Sequence, residues 1–340
     1  SLTAATEEYN GSTWTTTNDL AQSRVAMGNA GTQNAGLAFG GYNGSSTNYT
    51  CTEKYDGTSW SSSGALINSR FGLAGAGLQD SAWGAGGGPP YDVTCTEEFN
   101  GTSWSAGNAL INARRYFPGT GTQNAGIVFG GYNPPTVTHV STTEEYNGSS
   151  WTAGGALIIA RRYPAAGGTQ NAGLMFGGNS PSTNNATEEY DGSAWAAGGT
   201  LITARYGLGG TGTQNAALAY GGGAPGNVTC NEEYNGSSWA SGGAMLIGRI
   251  SIGGGAGTVN TALAFSGYSP DITKATQYYN GETWSICAYT GVGSFYPASG
   301  GDGVSAIKAG GLTPAIIGNT EVFECVNPVN QGLYCFTKTL

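Results

Sequence analysis

Residues 143–151 read TEEYNGSSW, and the phrase returns as TEEYNGSTW (6–14), TEKYDGTSW (52–60), TEEFNGTSW (96–104), TEEYDGSAW (187–195), NEEYNGSSW (231–239) and TQYYNGETW (276–284). The closing tryptophans, Trp14, Trp60, Trp104, Trp151, Trp195, Trp239 and Trp284, stand 46, 44, 47, 44, 44 and 45 residues apart. An acidic, Tyr-bearing run reads as a strand, and Asn-Gly or Asp-Gly between two such runs reads as a two-residue hairpin turn with both residues at positive φ. A repeat of roughly 40–50 residues made of strands and tight turns marks a β-propeller.

Working outward from the phrase, residues 70–104 supply one complete unit. FGLAGAG after Arg70 suits a crowded inner strand, and SAWGAGG makes a second strand ending in paired glycines. TCTEEF and TSWSAG, on either side of Asn100-Gly101, complete four antiparallel strands, the content of one propeller blade. The chain opens with only the outer half of a unit, whereas GDGVSAIKAGG (301–311) resembles the inner phrase GTQNAGLAFGG. Joining the two ends predicts an all-β, seven-bladed propeller of four-stranded blades over residues 1–311, its last blade shared by the N- and C-terminal strands. Residues 312–340 then read as an extension, either an extra hairpin or a docking tail, in which Cys325 and Cys335 flank a turn they could bridge.

The order Arg24, Gly40-Gly41, Tyr55-Asp56, Trp60 resembles the kelch repeat, and it recurs from Arg70, Arg114, Arg161 and Arg205. The copy from Arg249 departs, with Ser266-Gly267 in place of the glycine pair. The near-identical GTQNAGLAFGG and ARRY phrases also resemble glycine-rich, kelch-like repeats of aquatic bacteriophages. That resemblance implies a virion protein: a tail fibre, spike or head decoration made in the host cytoplasm and displayed on the particle, with other virion subunits as partners.

Composition narrows the function classes. Glycine is abundant at 61 residues, yet only 10 % of residues are charged and 11 % are aromatic, which favours a folded chain over a disordered one. Twenty-one acids against twelve bases give a net charge of −9, a surface that repels nucleic acid and anionic membranes. No run approaches the roughly 18 apolar residues of a membrane span. The opening SLTAATEEYNG has neither a basic region nor an apolar core, so no secretory leader is expected.

Catalytic chemistry finds little support. His139 is the single histidine, which leaves a His-based copper or zinc site short of ligands and rests any Ser-His-Asp arrangement on one loop residue. No catalytic residue, metal or cofactor is assigned. The glutamate pairs, such as Glu97-Glu98 and Glu144-Glu145, point to opposite faces of a strand and so do not make a two-carboxylate site; they are expected to charge outer strands against edge-to-edge association. The arginine of each repeat is expected to bond and pack between blades rather than grip a ligand. Cys51, Cys95 and Cys230 recur where other repeats have Ala or Thr, a small packing position.

The informative contrast is internal. The TQN and YNG turns scarcely change and fall on one face, whereas the connections 42–50, 88–94, 132–141, 179–186, 223–229 and 268–275 differ freely and share the opposite face. Diversified loops on a uniform scaffold are where recognition usually resides. Tyr42, Asn43, Tyr91, Asp92, Tyr132, His139, Asn184, Tyr268 and Asp271 are therefore the candidate ligand-binding residues, the rings to stack on sugars and the polar groups to bond hydroxyls. The expected function is non-enzymatic attachment to a host-surface glycan or protein. A carbohydrate-active propeller enzyme and a purely structural decoration protein are the alternatives.

Overall fold

A computed structural model describes residues 2–45, 47–88, 93–133, 138–224, 226–250, 257–269, 272–294, 298–301, 303–313, 322–326 and 334–338. Seven four-stranded antiparallel sheets follow one another around a ring. Blade 1 comprises Gly28–Thr32, Ala35–Phe39, Thr52–Tyr55 and Trp60–Ser63, and blade 2 Ala74–Leu78, Ser81–Ala85, Thr96–Phe99 and Trp104–Gly107. Blade 3 holds Gly119–Thr122, Ala125–Phe129, Thr143–Tyr146 and Trp151–Ala153; blade 4 Ala165–Thr169, Ala172–Phe176, Thr187–Tyr190 and Trp195–Ala197. Blade 5 holds Gly209–Thr213, Ala216–Tyr220, Asn231–Tyr234 and Trp239–Ser241; blade 6 Gly257–Thr258, Thr261–Ala264, Ala275–Tyr279 and Trp284–Tyr289. Blade 7 joins Ala298–Gly301 and Ala306–Ala309 to Thr6–Tyr9 and Trp14–Thr16, so both chain ends close the ring. Beyond it, Val322–Val326 pairs antiparallel with Tyr334–Lys338, Cys325 opposite Cys335 in register.

The innermost strands are built from glycine and alanine because they crowd together. A Cβ on Gly28 would stand 2.3 Å from the Phe39 ring, and one on Gly119 2.8 Å from Trp83. The second strands, such as Ala125–Phe129, are buried for nearly their whole length, and their large side chains fill the space between blades.

The repeated phrase works as a set of latches between blades. Trp60, Trp104, Trp151, Trp195 and Trp239 each donate an indole N–H, at 2.7–2.8 Å, to the first threonine of the preceding blade's phrase, and Trp14 does so to Thr276. The glutamine of TQN adds two bonds to carbonyls of the preceding blade, as Gln170 does to Gly126 and Tyr146. The asparagine of YNG holds its own loop: Asn100 Oδ1 accepts from the N–H groups of Thr102 and Ser103, and the strands pair as Phe99 with Trp104. The loop is thus four residues long, with positive φ only at glycines such as Gly101 (+95°), not the two-residue turn expected from Asn-Gly. The asparagine side chain supplies an acceptor that a two-residue turn does not need, and this stabilises the longer loop.

Both carboxylates of the glutamate pairs in blades 2–5 are committed, and the first does not lie on an exposed outer strand. Glu53, Glu97, Glu144, Glu188 and Glu232 are buried and face the buried Arg24, Arg70, Arg114, Arg161 and Arg205 of the same blade at 2.6–3.1 Å. In blade 7, Lys308 meets Glu7 at 2.7 Å. Each of these acids also accepts backbone N–H groups from the linker entering its blade, as Glu144 does from Ile111 and Asn112. The arginines therefore bind chiefly within a blade, and their carbonyl oxygens reach the preceding one, as Arg70 O does to the N–H of Gly41. The second carboxylate takes a tyrosine hydroxyl from the next blade, Tyr190 to Glu145 at 2.5 Å and likewise Tyr146 to Glu98, Tyr234 to Glu189 and Tyr279 to Glu233. Where Lys54 replaces that glutamate, Phe99 replaces the tyrosine, and the lysine turns to Gly101 O and Asp80.

Blade 6 lacks three of these features. Gln277 stands opposite Arg249, whose Nε and Nη2 are buried without an acceptor; Val259 replaces the glutamine of TQN. Trp284 and Asn231, the pair at the blade 5–6 seam, also leave their side-chain polar atoms unbonded.

Candidate functional site on the loop face

Connections between first and second strands and between third and fourth strands share one face, and the variable connections share the other with the linkers that enter each blade. At the mouth of the ring on that variable face, the residue after each buried arginine pairs its backbone with the residue following the glycine pair: Val25 with Tyr42, Phe71 with Gly88, Arg115 with Tyr132, Arg162 with Asn179, Tyr206 with Gly223 and Ile250 with Tyr268. The next residue lies in the left-handed region and hands a hydrogen bond from blade to blade, Gly72 N to Ala26 O and Tyr116 N to Gly72 O. This fold geometry carries side chains from consecutive blades onto one rim.

A chain of rings results across blades 1–4. Tyr42 stacks on Phe71 with centroids 5.1 Å apart, Phe71 meets Tyr116 at 6.1 Å, and Tyr116 meets Tyr163 at 6.0 Å. Two guanidinium groups lie over these rings: Arg115 is 5.5 Å from Tyr116 and 5.8 Å from Phe71, and Arg162 is 5.5 Å from Tyr163. Both also flank Tyr132, at 5.9 and 5.4 Å, within the range of cation–π attraction. His139 pairs across a two-residue ladder with Tyr132, its ring 6.4 Å away. Burial, and then the charge of Arg162, hold the His139 imidazole below its ordinary pKa.

The candidate residues divide accordingly. Tyr42, Tyr132 and His139 come together in or beside the strip. Tyr132 is only 4 % exposed, so it supports the arginines rather than offering a stacking surface; cover from the adjacent blade removed it from the solvent expected of a loop residue. Asn43 accepts from the N–H groups of Ser45 and Thr47, and Asn184 from that of Ala186, which shape their own loops. Tyr268 lies half-buried on blade 6, its carbonyl accepting from Asn227 Nδ2 at 2.9 Å. Tyr91, Asp92 and Asp271 lie outside the described residues. Phe71, Arg115, Tyr116, Arg162 and Tyr163 were missed, although a signal existed: RRY interrupts the repeat at 114–116 and 161–163, where other blades follow the arginine with Val-Ala, Phe-Gly, Tyr-Gly or Ile-Ser.

Acid–base chemistry has little to draw on here. Among the described residues no group of three or more His, Cys, Asp or Glu is placed to hold a metal ion. A shallow cleft between blades 1 and 7, lined by Asn29, Thr32, Trp60 and Ile307 among others, has no titratable group in its wall. Cys51, Cys95, Cys230 and Cys287 are free thiols at half-buried positions, and Cys51 Sγ packs 3.1 Å from Arg24 Nη1.

No protein-family description matches the chain, and no curated protein matches it by sequence. Among solved structures the chain is similar to YjhT, with a TM-score of 0.60 and 11 % sequence identity over 78 % of this chain and 98 % of that one. At that identity the likeness is one of fold; the seven four-stranded sheets make the protein a seven-bladed β-propeller.

Proposed function

We propose that this propeller is a non-enzymatic recognition module that binds a host-surface glycan or protein through its variable face. The resemblance of its repeats to kelch-like, phage-type propellers supports the further proposal of a virion surface as its location and other virion subunits as its partners. The observation that carries the reading is the asymmetry of the two faces. One repeats the same TQN and YNG turns, their side chains spent on latches and loop bonds. The other varies from blade to blade and concentrates an aromatic and cationic strip on an otherwise acidic chain. Aromatic faces with adjacent bond donors suit sugar rings and their hydroxyls. The repeated carboxylates, which an enzyme reading would need, are held in ion pairs with buried arginines or in bonds to tyrosine.

The test is a glycan-array and whole-cell binding assay with the purified chain, a loop-face double variant (Tyr42→Ala with Tyr268→Ala), and Ser149→Ala on the turn face as control. Binding that falls in the double variant and persists in the control is the expected result. Absence of binding to any glycan or cell, or equal loss in the control, overturns the reading.

A further inference from the structure

Eight arginines occur in the chain, and six occupy the repeated, fully buried position. The remaining two, Arg115 and Arg162, are the second arginines of the two RRY phrases, and both reach the loop-face rim. Arg162 differs from the repeated six in its surroundings. Its Nε is buried without an acceptor, as theirs are, and like Arg249 alone among them it has no described carboxylate partner; what sets it apart is its half-buried place at the rim, beside the rings of Tyr132 and Tyr163 and the imidazole of His139. A half-buried guanidinium backed by aromatic faces is held in place but left with unspent donors.

The tyrosine that follows supplies a second, independent observation. Tyr116 and Tyr163 adopt φ of +54°, a region that a bulky L-residue rarely enters. Blade 1 places Ala26 at the same point with φ of +52°, and blades 2 and 5 place Gly72 and Gly207 there, with φ of +65° and +58°, where no such strain arises. The sequence thus retains a strained aromatic beside each extra arginine although the fold accepts glycine there. Strain kept where the scaffold does not require it points to a site.

We propose that Arg162, with Tyr163 and His139 beside it, forms a subsite for a carboxylate-bearing pyranose, a uronic-acid residue of an acidic glycan. The guanidinium takes the sugar carboxylate through charge-assisted bonds, and the pyranose C–H face lies on the tyrosine ring. A neutral sugar satisfies only the ring, and a bare anion only the charge. The assignment rests on the loop-face recognition reading above and names the ligand class for it.

His139 is the single histidine, which makes it a reporter of charge at Arg162. The experiment follows the His139 imidazole by NMR in the full chain during titration with methyl β-glucuronide, methyl β-glucoside and inorganic sulfate. The glucuronide is expected to shift the resonance saturably and raise the imidazole pKa, because it neutralises the neighbouring cation. The glucoside and sulfate are expected to bind at least about tenfold more weakly, and Arg162→Ala to lose about tenfold or more in glucuronide affinity. Arg162→Lys, which keeps the charge but not the planar fork, is expected to retain part of it and serves if the alanine variant does not fold. Equal response to glucoside, equal response to sulfate, an unaltered Arg162→Ala titration, or no response to glucuronide each overturns the proposal. Binding of neutral glycans through Tyr42 and Tyr268 would survive any of these, so the two readings fail separately.

Discussion

Gln277→Glu should make this protein more stable, an unusual outcome for placing a carboxylate in a core. Arg249 has no exposed surface, and Nη1 alone of its three nitrogens is bonded, to Ser266 O at 3.0 Å and Ala275 O at 2.8 Å. Burial lowers its pKa to about 10, with nearby Tyr220 working in the opposite direction. In five other blades a glutamate at this point sits 2.6–3.1 Å from its arginine. Gln277 copies part of the arrangement: Oε1 accepts from the N–H groups of Leu246 at 2.6 Å and Ile247 at 3.2 Å, while Nε2 donates to Ile247 O at 3.1 Å, a bond that a carboxylate gives up. The substitution therefore adds charge with little change of shape. Two unit charges about 3 Å apart attract by roughly 5–6 kcal/mol at an effective dielectric near 20. Desolvating the new carboxylate and losing the bond to Ile247 O together offset several kcal/mol of that, leaving a net gain of about 2 kcal/mol. For a chain of this size the gain corresponds to roughly 3 °C in Tm. The reverse change, Glu144→Gln, leaves Arg114 uncompensated and should cost about 3 kcal/mol or more. Urea denaturation of both variants, read at the midpoint with the slope held in common, measures the pair. A Gln277→Glu protein no more stable than the parent, or a Glu144→Gln protein unaffected, would refute the view that one ion pair per blade secures the ring.

Three further outcomes follow from the same geometry. Asn231→Thr should return the Trp284 indole its missing acceptor and add about 1 kcal/mol, seen as a higher thermal midpoint; an unchanged midpoint would mean that water already satisfies the seam. Tyr163→Gly should hold stability level or raise it by up to about 1 kcal/mol, because relief of roughly 1–2 kcal/mol of left-handed strain outweighs the freedom glycine adds to the unfolded chain. The same variant should bind glycan less well, and a clear drop in Tm would show that ring packing outweighs the strain. The depressed His139 pKa means the unfolded chain binds a proton that the folded one resists. Its contribution is therefore complete above the unfolded pKa of about 6.5 and lost as pH falls through the lower folded value. Urea midpoints across this window should slope for the parent and flatten for His139→Gln; identical slopes would remove the histidine from the account.

The scaffold was readable from the chain because every blade is local in sequence: four strands, three connections and a tryptophan within about 45 residues. Closure by the two ends was also legible, since GDGVSAIKAGG and TEEYNGSTW are complementary halves of one repeat. Alternation along TEEY placed its glutamates on opposite faces, but a strand alone does not say which face meets the core. Packing of neighbouring blades decided that, burying Glu144 against Arg114 and turning Glu145 toward Tyr190. The rim strip is likewise a tertiary product. Tyr42, Phe71, Tyr116 and Tyr163 are separated by a blade's length of chain and meet only because the ring brings equivalent positions side by side. Periodicity was sufficient for the propeller, because the fold repeats with the sequence. The site arises where the repeat is broken, at RRY, and its meaning depends on neighbours that only closure of the ring supplies.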